Sequence, residues 1–198
     1  MSRDEELYRR ISQLEKWQEG FKYPELPLGL SLIDLQAGSG TSIAFSSIPQ
    51  GFRHLMLIGA VRSSASAEND GLILQFNGDT GSNYDWQRMT ANNTTLSGSV
   101  GRGVTSIQIG AIEAANSRAA SFSPVHAYIY LYANGTTYEK YTLSQNTMFG
   151  DVSADADMFV QLRGGRWRST AAITSITLSP TTGPNFVANS GFQLYGIR

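Results

Sequence analysis

The sequence predicts an all-β fold: a jelly-roll-like antiparallel β-sandwich preceded by a short N-terminal α-helix. Three observations predict it. From residue 29 onward apolar and polar residues alternate with period two. Gly, Asn, Ser and Pro punctuate that pattern at intervals of roughly 8–12 residues. No strand–helix–strand rhythm accompanies it, which points away from a parallel α/β sheet.

Composition agrees. The chain has 198 residues, enough for one domain whose core needs no covalent staples. Charged residues make up 16% against the ~25% usual for soluble chains. Ser, Thr, Asn and 20 glycines fill the difference, as polar strand faces and tight turns would. A net charge of −1 supplies no long-range field for a polyanion, so a nucleic-acid partner is not expected. With no cysteine, disulfides, thiolate metal sites and a cysteine nucleophile are excluded. The acidic start Ser2-Arg3-Asp4-Glu5-Glu6 has no apolar signal core, and no apolar run approaches the ~18 residues of a membrane span. A soluble chain without membrane insertion is the expectation.

Three regions follow in order: residues 1–22 as an amphipathic helix for oligomerisation or docking, 23–28 as a proline-containing linker, and 29–198 as the sandwich. Ser2 and Glu5 have capping-box spacing, Asp4 to Glu6 complement the helix dipole, and Gly20 is a natural stop. Glu5–Arg9 and Glu6–Arg10 are i,i+4 pairs in the favourable order. The helix thus covers residues 3–19, about 25 Å at 1.5 Å per residue. Its stripe is Leu7, Ile11, Leu14 and Trp17, extended by Phe21. A helix so short is marginal alone, so the stripe is covered by its own domain, by identical helices or by a docking partner. The prolines of Tyr23-Pro24-Glu25-Leu26-Pro27 favour an extended connector.

Strands are predicted over residues 41–47, 52–62, 72–76, 104–109, 158–162, 172–178 and 192–197. Ile43 and Phe45 share one face, as do Leu72, Leu74 and Phe76. Pro49-Gln50-Gly51 reads as a turn. Asn134-Gly135 predicts a two-residue hairpin pairing Ala133 with Thr136, Leu131 with Tyr138 and Ile129 with Lys140. Val125, Ala127, Ile129 and Leu131 then face the core, and Tyr128, Tyr130 and Tyr132 form an outward aromatic row. Tyrosine suits a surface with buried rings and wet hydroxyls, so these three are candidate interface residues. A covering sheet or loop, a subunit contact and a sugar-stacking platform are the alternatives. Residues 79–103 and 111–124 read as long loops.

The search for chemistry finds no catalytic, cofactor-binding or metal-ligating set. His54 and His126 lack a metal-ligand spacing, and there is no GxSxG elbow. The glycine-rich stretch at residues 98–103 lacks the GK[ST] ending of a phosphate loop. Residues 77–85 and the Asp151, Asp155, Asp157 cluster gather oxygen ligands, but the twelfth position of an EF-hand loop would be Arg88. Asx turns account for both stretches. No pair among the acidic residues stands out for glycoside cleavage.

Four segments carry a resemblance. Phe76-Asn77-Gly78-Asp79-Thr80-Gly81-Ser82-Asn83-Tyr84, Trp167-Arg168-Ser169-Thr170, Ile173-Thr174-Ser175-Ile176-Thr177-Leu178 and Phe192-Gln193-Leu194-Tyr195-Gly196-Ile197 resemble stretches of tailed-bacteriophage virion structural proteins. These are tail-fibre tips, receptor-binding proteins and head appendages built on β-sandwiches. The matching stretches mark strands and turns, not a site. The helix-then-sandwich layout is also similar to small trimeric receptor-binding proteins. The resemblance implies a non-enzymatic homo-oligomer, a trimer, without cofactor, that docks by its helix and presents its head. Its partners would be itself, other virion proteins and host cell-surface glycan, and its place the virion assembled in the host cytoplasm. The chain lacks the long shaft of a fibre, which keeps a capsid decoration, cement or head-fibre protein as an alternative. A β-sandwich glycan hydrolase is the enzymatic alternative.

Overall fold

The computed structural model describes Glu25–Leu26, residues 29–150 and residues 158–198. The expected helix with Leu7, Ile11, Leu14 and Trp17 lies outside the described residues, as does the acidic cluster of Asp151, Asp155 and Asp157.

The strands are β1 (Glu25–Leu26), β2 (Leu30–Ala37), β3 (Ile43–Phe45), β4 (His54–Val61), β5 (Asn69–Phe76), β6 (Tyr84–Asn92), β7 (Thr95–Val104), β8 (Ile107–Glu113), β9 (Ser123–Tyr130), β10 (Lys140–Phe149), β11 (Met158–Trp167), β12 (Ile176–Pro180) and β13 (Gly191–Ile197). They form two antiparallel sheets, so the protein is an all-β sandwich. The large sheet runs β1-β2-β13-β4-β9-β10-β11-β6-β7, and the small one β3-β12-β5-β8. The two-residue β1 falls within the segment read as the linker, where Glu25 and Leu26 pair with Ser31 and Leu30.

The core lies between the sheets, filled as period two demands. Ile43 and Phe45 enter from β3, Leu72, Leu74 and Phe76 from β5, and Ile176 and Leu178 from β12. Leu55 and Leu57, Val125, Ala127 and Ile129, and Phe192 and Leu194 meet them from the large sheet. Each fully buried aliphatic or aromatic side chain contributes roughly 1.5–3 kcal/mol. Small residues admit the rings: a Cβ on Gly59 would meet the Phe192 ring at 2.2 Å.

Two hairpins extend the large sheet past the small one. The β10–β11 hairpin joins β9, and the β6–β7 hairpin joins β11. Polarity there is reversed. The inward positions include the polar Thr142, Ser144 and Asn146 on β10, Gln161 and Arg163 on β11, and Thr90 on β6, all buried, beside Met148 and the core residues Tyr84 and Trp167. Strand β8 crosses β10 and β11 on that side, and its carbonyls accept hydrogen bonds from Ser144 Oγ (Ile109 O, 2.8 Å) and Asn146 Nδ2 (Ala111 O, 2.5 Å). Many outward positions are apolar instead, among them Leu143, Phe149, Val160, Leu162 and Met89.

Four expectations are corrected. Residues 79–103 are not a loop but largely the β6–β7 hairpin, turned at Asn93-Thr94 with Asn92 paired to Thr95 and Asn93 at φ 50. The expected strand at 104–109 is interrupted between Val104 and Ile107, where β7 ends and β8 begins. Within 111–124, β8 continues to Glu113 and β9 starts at Ser123. The loop between them is wound around buried groups. Arg62 donates to the carbonyls of Ser117 (2.8 Å) and Ser121 (3.0 Å), and Glu113 accepts from Ser121 Oγ (3.0 Å).

The fourth concerns Asn134-Gly135. Tyr130 pairs with Tyr141 and Ile129 with Thr142, a register two residues away from the expected one, and residues 131–139 form a loop. A type I′ turn needs positive φ at both central residues, and neither Asn134 nor Gly135 has it. Instead the Asn134 side chain accepts the Thr136 and Thr137 N–H groups at 3.2 and 3.0 Å, an Asx turn. The Lys140 ammonium gathers the carbonyls of Asn134, Tyr138 (2.7 Å) and Thr170 (3.0 Å). The Asn-Gly pair that does take positive φ is Asn77-Gly78, at 52 and 67°, closed by Asp79 N–H to Phe76 O at 2.9 Å.

An even register shift preserves faces, so Val125, Ala127 and Ile129 still face the core. Leu131 is only half-buried, and its φ of 51° ends the alternation. Tyr132 is thereby turned inward. It is fully buried, with its hydroxyl donating to the Pro49 carbonyl, and takes no part in an outward tyrosine row.

Candidate functional site

The outer face of the large sheet is the surface that the core does not explain. Successive strands bring one row together there: Ile58 on β4, His126 on β9, Gln145 on β10, Leu162 on β11 and Met89 on β6. A flanking row runs through Ala60, Pro124, Val160, Ala91 and Leu96. Met89 is 58% exposed, Val160 57%, Leu96 77% and Phe149 55%. Single exposed apolar residues are ordinary, but a contiguous field of them marks a binding surface.

The face is concave in two places. A trough of about 550 Å³ lies between Ile58, Met89, Leu96, Val160 and Leu162. Its polar groups include Gln145, Thr147 and His126, the last packed edge-on to Tyr128 with centroids 4.6 Å apart. A second trough of about 460 Å³ lies by Gly164, where a Cβ would meet nothing within 4 Å. Tyr141, Val100, Gln87 and Arg166 wall it.

Electrostatics differ between the two. Asp85 accepts from the Gly103 N–H (2.9 Å) and from Arg166 Nε (3.0 Å). These bonds, Gly103 foremost, hold its carboxyl below the usual range. Arg166 is also 3.4 Å from Glu139. These charges border the second trough, while the first carries none apart from His126. The first trough can therefore bind by area and shape. The second combines an aromatic ring with directional donors and acceptors.

Of the predicted aromatic residues, Tyr128 and Tyr130 stand on this outer face with ring centroids 6.2 Å apart, and Tyr132 is in the core. Tyr130 also packs edge-on to His54, at 5.5 Å. The Asx-rich turn at residues 77–85 is satisfied by protein groups. Asp79 accepts from Trp167 Nε1 (2.7 Å), Gly81 N–H (2.8 Å) and Asn83 Nδ2 (3.0 Å), and its pKa is lowered, chiefly by the tryptophan. Tyr84 closes the turn by accepting from Phe76 N–H and donating to Asp79 O, each at 3.0 Å, and burial pushes its phenol up to about 12. Sequence reasoning missed Met89, Leu96 and Val100 because residues 79–103 read as loop. The alternation Trp86-Gln87-Arg88-Met89-Thr90 was the available signal.

The two histidines make stability sensitive to acid. His54 Nδ1 accepts the Leu131 N–H at 3.0 Å, a bond that protonation removes. Burial lowers the pKa of His54, with Arg53 adding to it, and burial alone lowers that of His126, both from 6.5. The unfolded chain therefore binds protons that the folded chain does not. Their contribution is present above pH 6.5 and is lost as pH falls through the lower folded values. Asp79 and Asp85, both depressed from 3.8, add a second loss below that pH. Melting temperature should hold near neutrality and decline on acidification from about pH 6.5 toward 5. A profile that is flat or rises over that interval would contradict the assignment.

The chain matches no family model, no curated protein and no solved structure.

Proposed function

We propose that this chain is a non-enzymatic structural protein of a tailed-phage particle, a tail-fibre or receptor-binding appendage that assembles with its own copies, as a trimer, and docks by its N-terminal segment. The observation that carries the reading is the apolar field on the large sheet's outer face, from Ile58 through Leu162 and Val160 to Met89 and Leu96, a surface suited to being covered by protein. The segments resembling virion proteins support the placement, since they supply the turn at Asn77-Gly78 and strands β12 and β13 that position the sandwich.

The finer fold reading is a jelly roll. With β1 and the two inserted hairpins set aside, β2-β13-β4-β9 faces β3-β12-β5-β8, and consecutive strands alternate between sheets except at β5 and β8, which are neighbours in the small sheet. That order is the one two interleaved Greek keys produce. The trough beside Gly164 and Tyr141 supports host cell-surface glycan as a ligand, because rings stack on sugars while Gln87 and Arg166 reach hydroxyls.

A capsid decoration, cement or head-fibre protein is the second reading, favoured by the same apolar face, which could seal neighbouring capsid subunits. Gold-labelled antibody against the chain, applied to particles of the phage that encodes it, separates them. Tail labelling with lost adsorption on deletion supports the appendage. Head labelling with reduced heat stability of the shell supports cement. Particles that take no label refute both.

A further inference from the structure

We infer that the apolar outer face running from Ile58 on β4 across β9, β10, β11 and β6 to Leu96 on β7, beside the trough at Gly164, is a subunit interface, and that its occupant is a second copy of this chain. The inference deepens the reading of the protein as a self-assembling structural component and rests on it.

Polarity is the first argument. Along β11, Gln161 and Arg163 point inward and are buried, while Val160 and Leu162 point outward and are exposed. Along β6, Thr90 is buried and Met89 is exposed. A strand pair that ended its life at a water boundary would place these residues the other way round. The arrangement leaves a contiguous apolar field facing water, as at an interaction surface.

Charge identifies what covers it. A contact between identical chains can bring a residue near its own equivalent, so a like charge on such a face opposes assembly. Over the rows from Ala60 to Leu96 and from Ile58 to Met89 the one ionisable side chain is His126. The charged groups Asp85, Arg102 and Arg166 are set together at one margin of the patch and carry both signs. A strongly charged partner would find nothing to recognise here, whereas the equally uncharged field of another copy, met across a two-fold or around a three-fold axis, fits it.

A helix of the size the sequence predicts for the N-terminal segment would be too small to cover the field. The six strands from β4 to β7, at about 4.8 Å spacing and about three same-face rows deep, project to roughly 500–600 Å². Side-chain relief takes the accessible area toward the ~800 Å² per partner of a standard interface. One helix of the size expected for residues 3–19, about 25 Å by 10 Å, covers roughly 250 Å² and would leave over half of the field in water.

The test is the solution mass of the full chain, by native mass spectrometry and light scattering, beside Met89→Lys, Leu162→Lys and Tyr138→Lys. Met89 is already exposed, so its replacement leaves the fold intact, which a circular-dichroism melt checks. Tyr138 is equally exposed, at 52%, but lies in the 131–139 loop off the patch. The wild type and Tyr138→Lys should assemble, while Met89→Lys and Leu162→Lys weaken self-association ~100-fold or more, since each buries an unpaired ammonium. A monomeric wild type at every concentration overturns the inference. So does a Met89→Lys chain that is folded and still assembled, whatever Leu14→Lys in the N-terminal segment does. Failure of the virion placement reads out separately: unlabelled particles with an intact Met89-dependent oligomer leave the interface standing.

Discussion

Replacing Asp70 with alanine should cost about 3–5 kcal/mol of folding stability. The carboxylate is 4% exposed and accepts four hydrogen bonds: from Ser63 Oγ and Gly183 N–H at 2.7 Å, from Thr182 N–H at 2.9 Å, and from its neighbour Gly71 N–H at 2.7 Å. Three of those donors belong to segments far from Asp70 or to another strand connection, so one side chain joins the start of β5 to the turn between β12 and β13. Removal leaves the buried Ser63 hydroxyl and Gly183 N–H without their acceptor, each worth about 1–3 kcal/mol, while Thr182 and Gly71 can turn to water. There is no room to compensate by repacking: a Cβ on Gly183 would sit 2.1 Å from Ser63 Oγ. For a chain of this size the loss lowers the melting temperature by roughly 6–20 °C. Asp70→Asn should recover part of it, because the amide oxygen still accepts two of the donors. An unaffected melt in both variants would show that the turn between β12 and β13 holds without this carboxylate.

Arg163→Met should have the opposite sign and stabilise the protein by about 1–4 kcal/mol. Arg163 is also buried, at 1% exposure, but its surroundings differ from those of Asp70. Its Nε and Nη2 donate to a single acceptor, Gln161 Oε1, at 3.2 and 2.5 Å, and Nη1 has no hydrogen-bond partner. Among the described residues no carboxylate pairs with it, and Arg88 adds like charge. Burial first, and then Arg88, push its pKa down to about 9. The side chain therefore loses its hydration without recovering an equivalent interaction. Methionine follows the path of the aliphatic stem and removes the charge. Denaturant unfolding of the two chains measures the difference through the midpoint at unchanged slope. A loss of stability in Arg163→Met would mean that the guanidinium supports β8 more than it costs. Asp70 and Arg163 are thus alike in burial and opposite in effect, because four donors surround one charge and one acceptor meets the other.

This polar lining also accounts for the shape of the binding face. Buried groups on β10 hold β8 through hydrogen bonds to its carbonyls, so the inner side of the extension is used internally. Its apolar residues are left to the outside. On the proposed reading, water exclusion there would come from a second copy of the chain.

Period-two alternation is a local property, and what depends on it alone could be read from residues. The two-sheet architecture, the shared face of Ile43 and Phe45, the buried series Leu72, Leu74 and Phe76, and the inward Val125, Ala127 and Ile129 all follow from it. Alternation distinguishes two faces without saying which of them is covered. For β10, β11 and β6 that choice was made by β8 crossing the polar side, a contact between residues distant in sequence. Tyr132 was decided in the same way, since one positive φ at Leu131 and a buried Lys140 ammonium outweighed the local preference of Asn134-Gly135 for a tight hairpin. The chain's own pattern set the period of every strand. Packing between sheets set its phase.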